Sequence, residues 1–326
     1  MTSYPRHYQR YKSIVDEQLR RCITKDEPRS LYAPAKYVLS GGGKRIRPLL
    51  VMLACEAVGG TMRQAVPAAV AIEILHNFTL VHDDIMDNAL SRRGRPTVHT
   101  RWDTNVAILV GDELVAIAYR ELLKTRSSRI ARVVDIFTEG VVDVCEGQAY
   151  DKDFETRKRV SLNEYMLMIG KKTGKMVSVA SEMGAVIGGG SAPEVRALRE
   201  YGTNVGRAFQ IQDDLLDVIA DEKAFGKTIG GDIVEGKKTF LLIEAYARSR
   251  GADKALLRMI IERRGTPRKH IREVRAIYER CGVIDHAKKT IERNIIQANG
   301  QLSRLRETPA REMLYWFSQM LLNRNF

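Results

Sequence analysis

The chain has 326 residues, 44% of them hydrophobic, with 53 Lys and Arg against 40 Asp and Glu, a formal charge of +13. This apolar content with only 9 Pro excludes wholesale disorder, and 4 Cys without a CxxC pair or a Cys/His cluster exclude a disulfide scaffold and a zinc finger. The first residues, MTSYPRHYQRYK, are polar and basic with no apolar stretch behind them, and no apolar run approaches the roughly 18 residues of a membrane span. The expectation is a basic, globular, cytoplasmic protein with an anionic partner.

Helical periodicity dominates. Residues 66–88, 105–125, 129–150, 161–187, 194–220, 236–248 and 271–297 carry apolar side chains at three- and four-residue spacing. Strand signals are scarce, and glycine clusters at 41–43, 59–60, 188–190 and 230–231 punctuate the helices. The spacing predicts a single all-α domain over residues 1–326, without linker or short repeat.

Taken in order, residues 41–48 read GGGKRIRP, glycines that allow close backbone approach followed by Lys44, Arg45 and Arg47. The next helix ends in HDDIMD, which places Asp83 and Asp87 one turn apart on one face with Asp84 beside them. Arg92, Arg93 and Arg95 follow at once. Lys171, Lys172 and Thr173 form a third polar group, and Asp213, Asp214 and Asp217 repeat the acidic spacing. Lys227 with Thr228, and Lys237 with Lys238 and Thr239, close the series. A lone DDxxD is as often a solvated acidic patch as a site. Here both copies sit in apolar stretches, IEILHNFTLVHDDIMD and VGRAFQIQDDLLDVI, so they face a wet cavity rather than open solvent. Carboxylates this crowded call for hard divalent cations. Magnesium takes oxygen ligands from one or two carboxylates plus phosphate oxygens, so two facing clusters would hold a diphosphate through metal ions. The cationic groups suggest a second anion held without metal.

GGGKRIRP, DDIMD with RRGRPT, GKKTGKM, and FQIQDDLLD with GKTIGGD together resemble the trans-isoprenyl diphosphate synthases, in an order that runs from about residue 37 to residue 245. The resemblance implies an all-α bundle around a deep central cavity, a homodimer, and head-to-tail joining of isopentenyl diphosphate to an allylic diphosphate (dimethylallyl, geranyl or farnesyl). It also implies about three Mg2+ ions per site. Asp83, Asp87 and Asp213 would bind those ions, and Asp84, Asp214 and Asp217 would support them directly or through water. Arg92, Lys172 and Lys227 would contact the allylic diphosphate, with Lys237 completing the lysine set. Lys44, Arg47, His76 and Arg93 would bind isopentenyl diphosphate. His76 stands about two helical turns before Asp83, which puts it on the same face. Thr173 and the Gln210 carbonyl would stabilise the allylic cation. No His or Glu is placed to act as base, which fits a proton taken by the released diphosphate. A lid involving residues 221–237 would exclude water.

Product length would be set on the helix before Asp83, at Phe78 and Thr79, about 6–8 Å deeper. In this family aromatic residues at both positions go with the farnesyl product. Here only Phe78 is aromatic, which is like the geranylgeranyl diphosphate synthases of archaeal type, with farnesyl and geranylfarnesyl products next. Ordinary core packing would equally account for Phe78. The chain departs from many family members in ending Arg324-Asn325-Phe326 rather than in a basic tail.

Three other readings compete. A terpene cyclase would not need a second cationic pocket, and its second metal motif would carry Asn and Ser or Thr. A non-catalytic subunit would have lost an acidic cluster. A nucleic-acid binder would want interleaved aromatics, and only 7% of residues are aromatic; no nucleic-acid partner is expected. Seven assigned cations against six aspartates leave the site near neutrality. Residues 251–280, by contrast, hold nine Lys and Arg against four Asp and Glu.

Overall fold

The computed structural model describes residues 4–219 and 230–322. Lys227, Thr228, most of the segment expected to form a lid, and the terminal Arg324 and Phe326 lie outside the described residues. Helices follow one another along the chain: α1 (Tyr4–Arg21), α2 (Arg29–Leu39), α3 (Ile46–Ala57) and α4 (Met62–Met86). After a small hairpin come α5 (Val98–Arg101), α6 (Thr104–Leu122), α7 (Ile130–Thr156), α8 (Leu162–Ile169), α9 (Lys175–Ile187) and α10 (Ala192–Ile219). Later helices span Gly231–Val234, Phe240–Arg248, Gly251–Arg263, Ile271–Arg280, Val283–Leu302 and Pro309–Leu322. The fold is therefore all-α, with one departure: β1 (Ser91–Arg92) pairs antiparallel with β2 (Arg95–Pro96). The stretch 271–297 is broken where Gly282 takes φ 65°, a left-handed conformation open to glycine.

The chain forms two compact units, each built from separated stretches. The first contains Met1–Val141, Val179–Arg199 and Arg304–Trp316, the second Val142–Ser178, Glu200–Ser303 and Phe317–Phe326.

In the first unit α3 is buried almost all round, from Pro48 to Cys55, and so lacks the polar stripe that marks a surface helix. Helix α4 opens on a capping box in which the Gln64 Oε1 accepts the Thr61 N–H at 2.8 Å. It packs on α6 at Gly111, where an added Cβ would lie 2.0 Å from His82 Nε2. Over 18 residues α4 reaches a mean hydropathy of 1.3, enough by length and composition to cross a membrane, but 61% of that window is buried inside the protein and its end carries Asp83 and Asp84. This is the profile of a core helix.

One buried ion network fixes where α3 begins. Arg45 is 5% exposed and sits at φ 48°. Its Nε donates to Asp16 of α1 at 2.7 Å, its Nη1 to Glu73 of α4 at 2.7 Å, and its Nη2 to the Gly41 carbonyl at 2.6 Å. The glycine loop is thus tied to two helices by one guanidinium. The second unit has its own core, a cluster that includes Tyr165, Leu257, Ile277, Tyr278 and Ile295 together with Phe240 at the start of its helix.

Removing one partner of a buried ion pair leaves the other uncompensated, at a cost of about 3–5 kcal/mol. Arg45→Met therefore lowers the free energy of unfolding by about 3 kcal/mol or more in urea titrations, and Arg45→Met with Glu73→Leu recovers most of that loss. A single variant within about 1 kcal/mol of wild type would show that the network is not what anchors the loop.

Candidate active site

Within the first unit the structure gathers the cations that the sequence scatters. The hairpin turns at Arg93 and Gly94, both at positive φ (54° and 72°), as a two-residue turn of type I′ requires. This turn carries Arg93 back to the glycine loop, where its Nη1 donates to the Gly42 carbonyl. A Cβ on Gly43 would lie 2.8 Å from that same nitrogen, so a larger residue there would displace the guanidinium. Tyr37 steadies the hairpin with the Arg95 guanidinium 3.8 Å from its ring centre and its hydroxyl donating to the Pro96 carbonyl at 2.8 Å. His76 is partly buried on α4. Burial first, then the charges of Arg47, Arg93, Arg92 and Arg45, hold its imidazole well below the usual 6.5. Arg47 and Arg93 thus lie near enough to His76 to act on its charge, and they disfavour the imidazolium. Lys44 is exposed, with its carbonyl accepting the Tyr8 hydroxyl at 2.6 Å.

The first acidic motif lies at the C-terminal end of α4, where the helix dipole is also negative. Asp84 is buried and accepts from Arg92 Nε at 2.6 Å; burial raises its pKa and Arg92 opposes the rise. Asp83 is half-buried and Asp87, at the helix cap, is exposed. One turn deeper, Phe78 meets His82 edge-on at 4.8 Å, and the Thr79 hydroxyl donates to the His76 carbonyl at 2.8 Å.

In the second unit the segment Gly170–Gly174 is a π-helical turn between α8 and α9. Such turns are uncommon and re-aim side chains at functional sites. Lys171 donates to Asp143 at 2.5 Å and to Glu146, Lys172 to Asp151 at 2.5 Å. The Lys172 backbone approaches Gly147 so closely that a Cβ there would lie 2.3 Å from its nitrogen. Gly206 of α10 likewise abuts Gly174 (a Cβ would lie 2.6 Å from its Cα), and this contact sets Thr173 against Gln210, hydroxyl to amide oxygen, at 2.8 Å. Asp214 is buried and accepts from Tyr165, Gln210 and the Phe240 N–H. Asp217 accepts the Asp232 N–H at 3.0 Å. Lys237 lies 2.9 Å from Glu235 and 3.8 Å from Asp232, whereas Lys238 is half-buried with its Nζ donating to the Glu155 carbonyl at 3.4 Å.

The donor set suits magnesium by chemistry, since every motif ligand is a carboxylate oxygen. Among the described residues no three metal-ligating side chains are already drawn together. Asp84, Asp214 and Asp217 are each engaged by protein donors.

The Polyprenyl synthetase family matches residues 28–279. The chain belongs to that family. It is a prenyltransferase by that membership, and its relatives extend the match over nearly the whole length. A short chain isoprenyl diphosphate synthase of Methanothermobacter thermautotrophicus is 39% identical over 316 residues, 97% of each chain. A geranylgeranyl diphosphate synthase of Methanosarcina mazei is 38% identical over 316 residues, 96% of each. The crystal structure of a geranylgeranyl pyrophosphate synthetase from Pyrococcus horikoshii superposes with a TM-score of 0.92 at 38% identity, covering 98% of this chain and 99% of that one.

Several partners of the motif residues in this polyprenyl synthetase are not apparent from motif reading. Tyr165 holds Asp214, and Asp143 and Asp151 of α7 hold the paired lysines. Asp232, within GKTIGGD, is pushed well up by burial and by the carboxylates of Asp214 and Asp217. Its place in that motif is the only signal the sequence offers for it.

A depressed histidine gives a pH signature. The folded protein favours neutral His76, so this contribution is complete above the ordinary value of 6.5 and is lost as pH falls below it. Wild type therefore loses melting temperature between about pH 7 and about pH 5 that His76→Gln retains. Calorimetric scans of both proteins across that range check it, and parallel curves would refute it.

Proposed function

We propose that this prenyltransferase condenses isopentenyl diphosphate with an allylic diphosphate, releases inorganic diphosphate, and stops at geranylgeranyl diphosphate. The observation that supports the reading is the cationic group of the first unit, where the hairpin returns Arg93 to the Gly42 carbonyl of the glycine loop and Arg47, Arg93 and Arg92 depress the pKa of His76. A cyclase consumes one diphosphate and has no use for a second such pocket.

Asp83 and Asp87 at the end of α4 and Asp213 of α10 would hold magnesium, which would supply neutralisation of charge on the departing diphosphate. Arg92 and Lys172 bind the same diphosphate; their ion pairs with Asp84 and Asp151 hold both side chains in position before it arrives. Lys227 and Lys237 complete the set. Lys44, Arg47, His76 and Arg93 orient isopentenyl diphosphate, and the neutral His76 donates or accepts one hydrogen bond without adding charge. The allylic C–O bond breaks, and its electron pair leaves with the diphosphate. The isopentenyl double bond then attacks the allylic carbon to form the new C–C bond. The proton lost from the adjacent carbon goes to a diphosphate oxygen, and the new double bond completes the balance. Thr173 and Gln210 present oxygen atoms to the cation.

Phe78, braced edge-on by His82 over Gly111, stops the growing tail. The exposed apolar side chains Ile108 and Leu109 of α6 support assembly as a homodimer.

Diphosphate release that requires both substrates and stops with EDTA is the expected result; release from the allylic substrate alone would establish a cyclase. Asp83→Ala lowers kcat by about 10²–10³-fold. Phe78→Ala lengthens the product, read by chromatography after dephosphorylation, and unchanged chain lengths would remove Phe78 from this role.

A further inference from the structure

The side-chain amide of Gln210 sits between two partners of opposite kind. On one side is Asp214, a buried carboxylate whose Oδ2 receives the Tyr165 hydroxyl at 2.5 Å and the Phe240 N–H at 3.2 Å. Its Oδ1 lies 3.0 Å from Gln210 Nε2. On the other side is the Thr173 hydroxyl, 2.8 Å from Gln210 Oε1. A carboxylate that receives donors on both of its oxygens faces the amide NH2 and not the amide oxygen. The two ends of an amide are nearly the same size, and only its hydrogen-bond partners choose between them.

We infer that Asp214 and Tyr165 are positioning residues which fix the polarity of Gln210, so that Gln210 and Thr173 together offer lone pairs and no polar hydrogen to the allylic cation. The inference rests on the synthase reading and deepens it. Asp214 turns the Gln210 NH2 away from Thr173. The Gln210 oxygen then takes the one hydrogen of the Thr173 hydroxyl. What remains outward at this point is the lone pairs of Oγ1 and Oε1. An amide turned the other way would place two polarised hydrogens there, which repel a carbocation in a site kept free of water. Tyr165 and the Phe240 N–H matter because they hold Oδ2, which leaves Oδ1 for Gln210.

Asp214→Asn tests this at constant shape. The introduced amide keeps its oxygen toward Tyr165 and Phe240, so its NH2 meets the NH2 of Gln210, and Gln210 must turn over. The expected result is a kcat lower by about a hundredfold. KM for both diphosphates and the magnesium concentration for half-maximal rate stay within about threefold, and the melting temperature does not fall. Adding Gln210→Glu to Asp214→Asn supplies an acceptor on both faces: the introduced carboxylate takes a hydrogen from the introduced amide and one from Thr173. That double variant recovers at least about tenfold in kcat over Asp214→Asn alone. A substrate-free arm runs beside it. Gln210→Glu alone lowers the melting temperature, because two carboxylates then face each other, and in the Asp214→Asn background it does not. Retained kcat in Asp214→Asn, a raised magnesium requirement, or absence of recovery in the double variant would each overturn the inference. If wild type releases no diphosphate from the paired substrates, the synthase reading fails by itself, and the melting-temperature cycle still decides which way the amide points.

Discussion

Like charge crowded where water is scarce is the constraint that the rest of the structure answers. Asp83, Asp84 and Asp87 close α4 at the end where the helix dipole is already negative. Three carboxylates there would be unstable without cations, and the chain supplies the first one itself. The hairpin after α4 reverses within two residues, so that Arg92 returns to Asp84 at 2.6 Å. The same reversal throws Arg93 toward the glycine loop. One turn, made possible by positive φ at Arg93 and Gly94, therefore serves an acidic group and a cationic one. In the second unit the answer differs. Asp214 is satisfied by a phenol, an amide and a backbone N–H, and among the described residues it carries no ion pair.

Precision in that second unit comes from missing side chains. Gly147 admits the Lys172 backbone and Gly206 admits Gly174, at distances no Cβ would allow. The π turn between these contacts inserts its lysines and Thr173 into a register that an ordinary helix would not give them. Lys171 and Lys172 then reach different acidic partners on α7, although they are adjacent in sequence. Positional accuracy here rests on backbone approach, which is stiffer than any contact between flexible lysine stems.

What could be read from the sequence was chemistry concentrated within a few residues. DDIMD, DDLLD, GKKTG and GGGKRIRP carry their meaning locally, and helical periodicity gives the all-α class. What could not be read depends on partners far apart. Tyr165 looks like one more apolar residue of α8 until the fold brings it to Asp214, 49 positions on. Arg45 looks like a binding cation until Glu73, 28 positions on, takes it into the core. The hairpin escapes notice because strands of two residues are too short to show alternation. Helix α3 is buried on every side, so periodicity has nothing to contrast with.

The charge of the chain shows why counting fails where placement succeeds. Arg45, Arg47 and Arg93 count equally in the total of +13. Arg45 spends its charge on Asp16 and Glu73 at 2.7 Å each, and its effect on His76 is the least of the four arginines that act there. Arg47 and Arg93 act on His76 most strongly after burial. Much of the remaining excess is on solvent-exposed side chains such as Arg258, Arg263, Arg268, Lys269 and Arg272. Charge of that kind is screened within about 8–10 Å at ordinary ionic strength. It raises the local concentration of any anion and distinguishes none. Selectivity belongs to the placement of a few cations against their neighbours, and that placement is decided by the fold.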